Sequence, residues 1–276
     1  MRDMVLCERV VMRLREKGLL LTVLIAVIVA AMYLIFFLDR ETVRWLTRED
    51  NVVESVGALL FLLASIGFGV AYLRPSRVRR AWSDSTGAAP RSVFHLLLCL
   101  LFLLAFLEEI SWGQRILKVE TPDAIRKVNR QGEINLHNLR WFHGHDESGN
   151  RKPFLELLIN GDRMFSMFWF GYCVAVPLVA RFSRRMSGLF VRIRLPVVPM
   201  AYVFLFLFNY LLARAVIAGN PAYRHNIVEV KETAFSFLFM CIAVGQIYPP
   251  WKRTCGETGG GGACLPKEHS SATRIE

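Results

Sequence analysis

The chain alternates long apolar runs with short polar intervals. Runs of about 20 apolar residues, the length that crosses a hydrocarbon core of about 30 Å, lie at 19–38, 52–73, 93–107, 164–180, 195–218 and 227–248. The pattern predicts an all-α fold, a polytopic membrane helix bundle of about six transmembrane helices. The third run is short unless it continues through Glu108 and Glu109, which places those carboxylates at the membrane boundary. The expected organisation is an amphipathic cytoplasmic segment at 1–18, the bundle at 19–250 with a helical outer loop at 108–163, and a disordered Gly-, Ser- and Thr-rich cytoplasmic tail at 251–276.

Polar residues collect at one end of these runs. The second run opens with Asp50, Glu54, Gly57 and Phe61 on one helical face, and the sixth opens with His225, Glu229, Glu232 and Ser236 at the same spacing. The third closes with "EEISWGQR", read as a continuation of its helix, with Glu108, Ser111, Trp112 and Arg115 on one face and Glu109 beside them. In the loop, Thr121-Pro122-Asp123 reads as a helix start with Thr121 as N-cap. The following residues can run helically past Gly132, putting Glu133 and His137 one turn apart, a spacing that lets both reach one metal ion. The opposite halves of the spans contain no acidic residue.

Composition agrees with a membrane chain: 54% hydrophobic residues, 20 phenylalanines and a mean hydropathy of +0.35 exceed what one soluble core of 276 residues needs. The net charge of +11 is not a nucleic-acid signature, because every second loop is basic and the loops between are nearly neutral or mixed. Arg2, Arg9, Arg13 and Arg15 precede the first span, Arg74, Arg77, Arg79, Arg80 and Arg91 follow the second, and Arg181, Arg184, Arg185, Arg192 and Arg194 follow the fourth. This positive-inside pattern puts both termini in the cytoplasm of a bacterial-type cell and the acidic ends at the periplasmic face of the inner membrane. The first apolar run is too long for a signal peptide and lacks a small-residue cleavage site, so it reads as an uncleaved span. Of the six cysteines, Cys99, Cys173 and Cys241 fall within spans and Cys7, Cys255 and Cys264 in the reducing cytoplasm, which argues against a disulfide framework.

At "EDNVVE", "EEISWGQR", "NRQGEINLHN" and "VEVKE" the chain resembles a family of bacterial multi-pass inner-membrane proteins marked by E-E-x-S-W-G-Q-R and N-x-Q-x-E-x-N-L-H-N. The resemblance singles out Glu49, Asp50, Glu54, Glu108, Glu109, Ser111, Trp112, Gln114, Arg115, Asn129, Gln131, Glu133, Asn135, His137 and Asn138, and implies no particular activity. A weaker likeness at E-E-x-x-aromatic is to the intramembrane glutamate proteases of the CAAX-processing type. It lacks that family's histidines in later spans.

Carboxylates crowded together cannot all stay ionised without a compensating cation, so protonation, a metal ion or a basic substrate has to complete such a site. The leading expectation is a metal-dependent hydrolase or transferase acting on a membrane lipid or lipid-linked substrate. Glu54, Glu133, His137, Glu229 and Glu232 would hold a divalent ion. Glu109 would serve as general base, with Glu108, Ser111 and Arg115 completing the catalytic group. Arg214, which is costly in lipid and is expected to pair with a cluster carboxylate, would contact substrate together with Trp112 and Gln114. The alternatives are a cation or proton transporter using the same acids, and a non-catalytic assembly protein whose polar cluster fixes helix packing.

Overall fold

The structure is a computed structural model that describes residues 2–48, 51–74, 92–129, 132–136, 139–142, 152–153 and 160–247, without the side chains of 2–15, 115–116 and 162. Glu49, Asp50, Gln131, His137, Asn138, His143, His145, the basic interval at 75–91 and the tail lie outside the described residues.

The fold is an all-α bundle. Its helices are α1 (Arg2–Met32), α2 (Arg40–Thr47), α3 (Val52–Leu73), α4 (Val93–Glu109), α5 (Gln114–Leu117) and α6 (Asp123–Val128), then α7 (Gly161–Phe170), α8 (Val176–Phe182), α9 (Arg184–Ile193), α10 (Met200–Gly219) and α11 (Arg224–Ile247). Among the described residues, four stretches are long and apolar enough to cross a membrane: Glu16–Phe37, Arg40–Leu73, Arg163–Phe182 and Met200–Gly219. Leucines such as Leu20 (69% exposed) and Leu24 (55%) stand on the outside of the bundle, as expected of a membrane protein that meets lipid rather than water.

The two remaining long helices are different. α4 has 17 residues, about 25 Å at the helical rise. α11 has 24 residues but carries Glu229, Lys231 and Glu232 in its first half. It is nonetheless the most enclosed helix, burying Ile227, Val230, Ala234, Phe235, Leu238, Phe239, Ile242 and Ala243 against its neighbours. A helix surrounded by protein need not be apolar enough to face lipid.

Small residues bring the central helices together. A Cβ on Gly67 of α3 would stand 2.8 Å from the Cβ of Ala243 on α11, and one on Gly57 would stand 3.2 Å from Thr233 Oγ1. Close backbone approach of this kind is how helices gain packing where burial from water supplies little. Thr233 donates its hydroxyl proton to Val53 O (3.0 Å), tying α11 to α3 a second way. Phenylalanines fill the rest: Phe102 of α4 lies 4.7 Å from Phe239, Phe206 of α10 lies 5.3 Å from Phe235, and Trp169 of α7 lies 4.9 Å from Phe235. α1 touches this core along a narrow stripe, Ile25, Val29 and Tyr33. Tyr33 donates to the buried Asn209 Oδ1 at 2.7 Å, and Asn209 Nδ2 donates to Lys231 O at 3.0 Å.

The two ends of the bundle are chemically distinct. At the basic end Arg74 Nη1 donates to Ile247 O (2.9 Å), Ser92 Oγ donates to Arg194 O (2.7 Å), and His95 meets Gln246 at 3.5 Å. These contacts gather the end of α3, the start of α4 and the end of α11, so α3 runs antiparallel to α4 and parallel to α11. The amphipathic α9, started by Ser183 accepting from Met186 N (3.3 Å), belongs to this end. The opposite end holds α2, the start of α3, the end of α4 and the start of α11.

One local expectation changes. Residues 195–199 are not helical, because Pro196 and Pro199 lack the donor a helix needs and restrict the residues before them, so α10 begins only at Met200. The helix formed by α7 and α8 widens into a π-turn at Gly171–Ala175, directly before the turn that holds Pro177. Proline cannot donate to the carbonyl four residues back, and one wide turn absorbs that loss. α1 is one helix from Arg2 to Met32.

Candidate functional site

The acidic end is built around the close of α4. The helix stops at Glu109, and Ser111, Trp112 and Gly113 follow with φ of 47°, 56° and 76°, three successive residues in the left-handed region. A helix commonly ends on one such residue, usually glycine. Two of these are not glycine, and the left-handed conformation costs an L-residue about 1–2 kcal/mol. The expected helical continuation through Arg115 is therefore replaced by a reversal, after which the short α5 begins at Gln114.

Hydrogen bonds hold the strained turn. Glu108 accepts from Trp112 Nε1 on one carboxylate oxygen (2.7 Å) and from Leu136 N on the other (2.6 Å), so it clamps the turn to the following loop. Ser111, fully buried, donates to Glu133 Oε2 at 2.6 Å. Asn135 Nδ2 donates to the same carboxylate oxygen at 3.1 Å and to Ser111 Oγ at 3.3 Å. Asn129 Nδ2 donates to the main-chain O and to Oδ1 of Asn135, both at 2.9 Å, and Asn129 Oδ1 accepts from Glu133 N at 3.3 Å. Gln114 donates to Thr121 Oγ1 (2.5 Å) and accepts from Ile134 N (2.7 Å).

The loop is consequently not the long helix expected of it. α6 ends at Val128, Asn129 pairs with Leu139 in an isolated antiparallel bridge, and Gly132 sits at φ 71°. Side-chain amides that bond the backbone locally compete with the helical ladder, and Asn129 and Asn135 do so here. Glu133 is thus off any helix, and His137 lies outside the described residues. Thr121 is not an N-cap either: Pro122 holds that position, and the Thr121 hydroxyl goes to Gln114.

On the bundle side of the turn the carboxylates converge. Glu109 is part-covered as a residue, but its carboxyl is the enclosed end, and the charges that reach it are Glu232, Glu54, Glu229 and Glu108. They come from α11, α3 and α4. Lys231 Nζ stands 3.3 Å from Glu232 Oε1, and His225 Nδ1 stands 3.8 Å from Glu229 Oε1. Among the described residues no three His, Cys, Asp or Glu side chains are placed to hold one metal ion.

The candidate residues therefore divide. Glu109, Glu54, Glu229 and Glu232 gather on one side, with Glu108 reaching both sides; Ser111, Glu133, Gln114 and Trp112 belong to the loop network. Arg214 is exposed and makes no ion pair among the described residues, because α10 faces the bundle through Phe206, Asn209 and Ala213. The expected pairing of Arg214 with a cluster carboxylate is not made, and Lys231 is the cation beside Glu232. The side chain of Arg115 and all of His137 lie outside the described residues. Sequence reasoning missed the part played by Thr121 and the Thr47–Asn226 bond (2.6 Å) that ties α2 to α11.

Trp45, Trp112 and Trp141 are all exposed at this end, the arrangement of an interfacial aromatic belt. Compared with known protein families, curated proteins and solved structures, the chain matches none.

Proposed function

We propose that the chain is a multi-pass membrane hydrolase or transferase whose working groups are the converging carboxylates, acting on a lipid or lipid-linked substrate at the periplasmic face of a bacterial inner membrane. The observation that carries this reading is the enclosed carboxyl of Glu109 with Glu232, Glu54, Glu229 and Glu108 around it. Like charges gathered away from water are unfavourable for stability, so their retention points to a task. The two unpartnered-by-periodicity features of the α4 terminus, its left-handed turn and its buried network, supply the rigid support that such a site needs.

The donor set is all carboxylate, the chemistry of a hard divalent cation such as Mg²⁺ or Mn²⁺. As they stand these carboxylates are not placed on one ion; Glu54, Glu229 and Glu232 would have to draw together to hold it, and when bound it would polarise an ester or phosphoryl oxygen. Glu109 takes the proton of the attacking water or hydroxyl. Glu108 positions the turn through Trp112 and Leu136, and Ser111 and Glu133 keep the loop against it. Six spans, with α4 and α11 as the third and sixth, and both termini cytoplasmic complete the proposed topology, as the alternation of arginine-rich intervals supports. Transport is the weaker reading: the bundle beyond the cluster is filled by Phe68, Phe102, Phe206, Phe235 and Phe239, all fully buried.

The test is incubation of the detergent-purified full chain with a bacterial lipid extract and Mn²⁺, followed by mass spectrometry of the products. Wild type is expected to consume a phosphate- or ester-bearing lipid and Glu109→Gln to leave it intact. Equal lipid profiles for the two proteins would end the catalytic reading.

A further inference from the structure

We propose that a pocket between α2 and the start of α11 binds the phosphate of a phospholipid headgroup. The cavity, about 270 Å³, is lined by Arg44, Thr47, Arg48, His225 and Asn226. Its chemistry is that of an anion site. Arg44 lies in the last turn of α2 and Arg48 is the extended residue that follows its end, and guanidinium groups match phosphate oxygens in bidentate fashion. His225 and Asn226 lie in the first turn of the 24-residue α11, whose positive end favours negative charge.

The pocket floor is pre-formed. Thr47 is buried (3% exposed), accepts from Asn226 Nδ2 at 2.6 Å and donates to Val43 O at 2.8 Å. That bond uses one N–H of Asn226 and leaves the amide a second. The level in the membrane fits a headgroup as well. α2 is a short amphipathic helix between two apolar stretches, with Phe37 (87% exposed) before it and Trp45 (59%) on it, the placement of an interfacial helix. The pocket also adjoins the acidic cluster, because His225 meets Glu229, whose charge reaches Glu109. The catalytic meaning of the pocket rests on the function proposed above, whereas the binding does not.

The test is isothermal titration of the full chain in a non-ionic detergent with dihexanoyl phosphatidylglycerol, with dihexanoylglycerol, which lacks the phosphate, and with inorganic phosphate. One phosphatidylglycerol per chain is expected, with affinity reduced about tenfold or more in Arg44→Ala/Arg48→Ala, a loss of about 1.4 kcal/mol. Arg44→Lys/Arg48→Lys keeps the charge without the fork and is expected between the two; it also decides the matter if the alanine variant fails to fold. Glu109→Gln is expected to bind like wild type, so loss of turnover with retained binding, or the reverse, separates the two proposals. Binding of dihexanoylglycerol as tight as the phospholipid, or the same affinity in the arginine variants, would overturn the site. Inorganic phosphate binding as tightly as phosphatidylglycerol would overturn the lipid assignment.

Discussion

Ser111 shows how much a single position at this end of the molecule carries. It is left-handed, fully buried, and bonded to Glu133, so its hydroxyl and the Glu133 carboxylate depend on one another. Replacing Glu133 with Ala leaves Ser111 Oγ and Asn135 Nδ2 buried without that acceptor, a loss of about 1–3 kcal/mol. Glu133→Gln retains an amide oxygen to accept both bonds and is expected within about 1 kcal/mol of wild type, as read by thermal unfolding in detergent. Asp39 gives a pH-dependent counterpart. Its carboxylate caps α2, accepting from the Thr42 hydroxyl and main-chain N–H and from Glu41 N, and these bonds, the Thr42 hydroxyl first, hold it below the ordinary aspartate range. The cap's stabilisation is therefore complete above that range and is lost as pH falls through the lowered value. Asp39→Ala should abolish the acid-side drop in α2 protection measured by hydrogen exchange. The density of polar residues in "EEISWGQR" was legible in the sequence. The left-handed turn was not, because helical periodicity runs through Ser111 and Trp112, and Gly113 was the one signal of a stop.

At the level of elements, apolar length predicted the helices well where they face lipid and poorly where they face protein. α1, α3, the α7–α8 helix and α10 satisfy length and hydropathy together, whereas α11 is defined by a buried face that its acidic first half conceals. The loop after α4 misled for the opposite reason: good helix formers were present, but asparagine side chains took over the backbone bonds. The α3–α11 contact gives a sharp test. Gly67→Ala places a methyl 2.8 Å from the Ala243 Cβ, too close without a shift of one helix. A loss of about 1–3 kcal/mol is expected, as for other overpacked cores. Ala243→Gly in the same chain removes the clash and should restore most of the stability, while Gly188→Ala, which meets nothing within 4 Å, should leave it unchanged or slightly raised. Failure of the double variant to recover would mean that the two helices do not meet at these positions.

For the whole molecule, charge is separated along the bundle. Arg74, Arg184 and Arg194 stand at one end and the converging carboxylates at the other, where Arg44 and Arg48 also lie, with packed phenylalanines between them. The sequence showed this separation through its alternating loops, but it could not show that Glu54, Glu229 and Glu232 reach Glu109 from two different helices. That convergence depends on the small residues that set the α3–α11 distance, and on α4 ending where it does. A cluster kept for packing should stabilise the protein, whereas one kept for function should cost stability until a cation is bound. The most direct measurement is the Tm of the purified full chain and of Glu109→Gln, each with and without millimolar Mn²⁺. Without the cation, Glu109→Gln should melt about 2–4 °C above wild type, the shift that about 1 kcal/mol gives in a chain of this size. Mn²⁺ should raise both proteins by mass action, because Glu54, Glu229 and Glu232 are intact in each. A Glu109→Gln protein that melts below wild type, with Mn²⁺ shifting neither, would contradict the account.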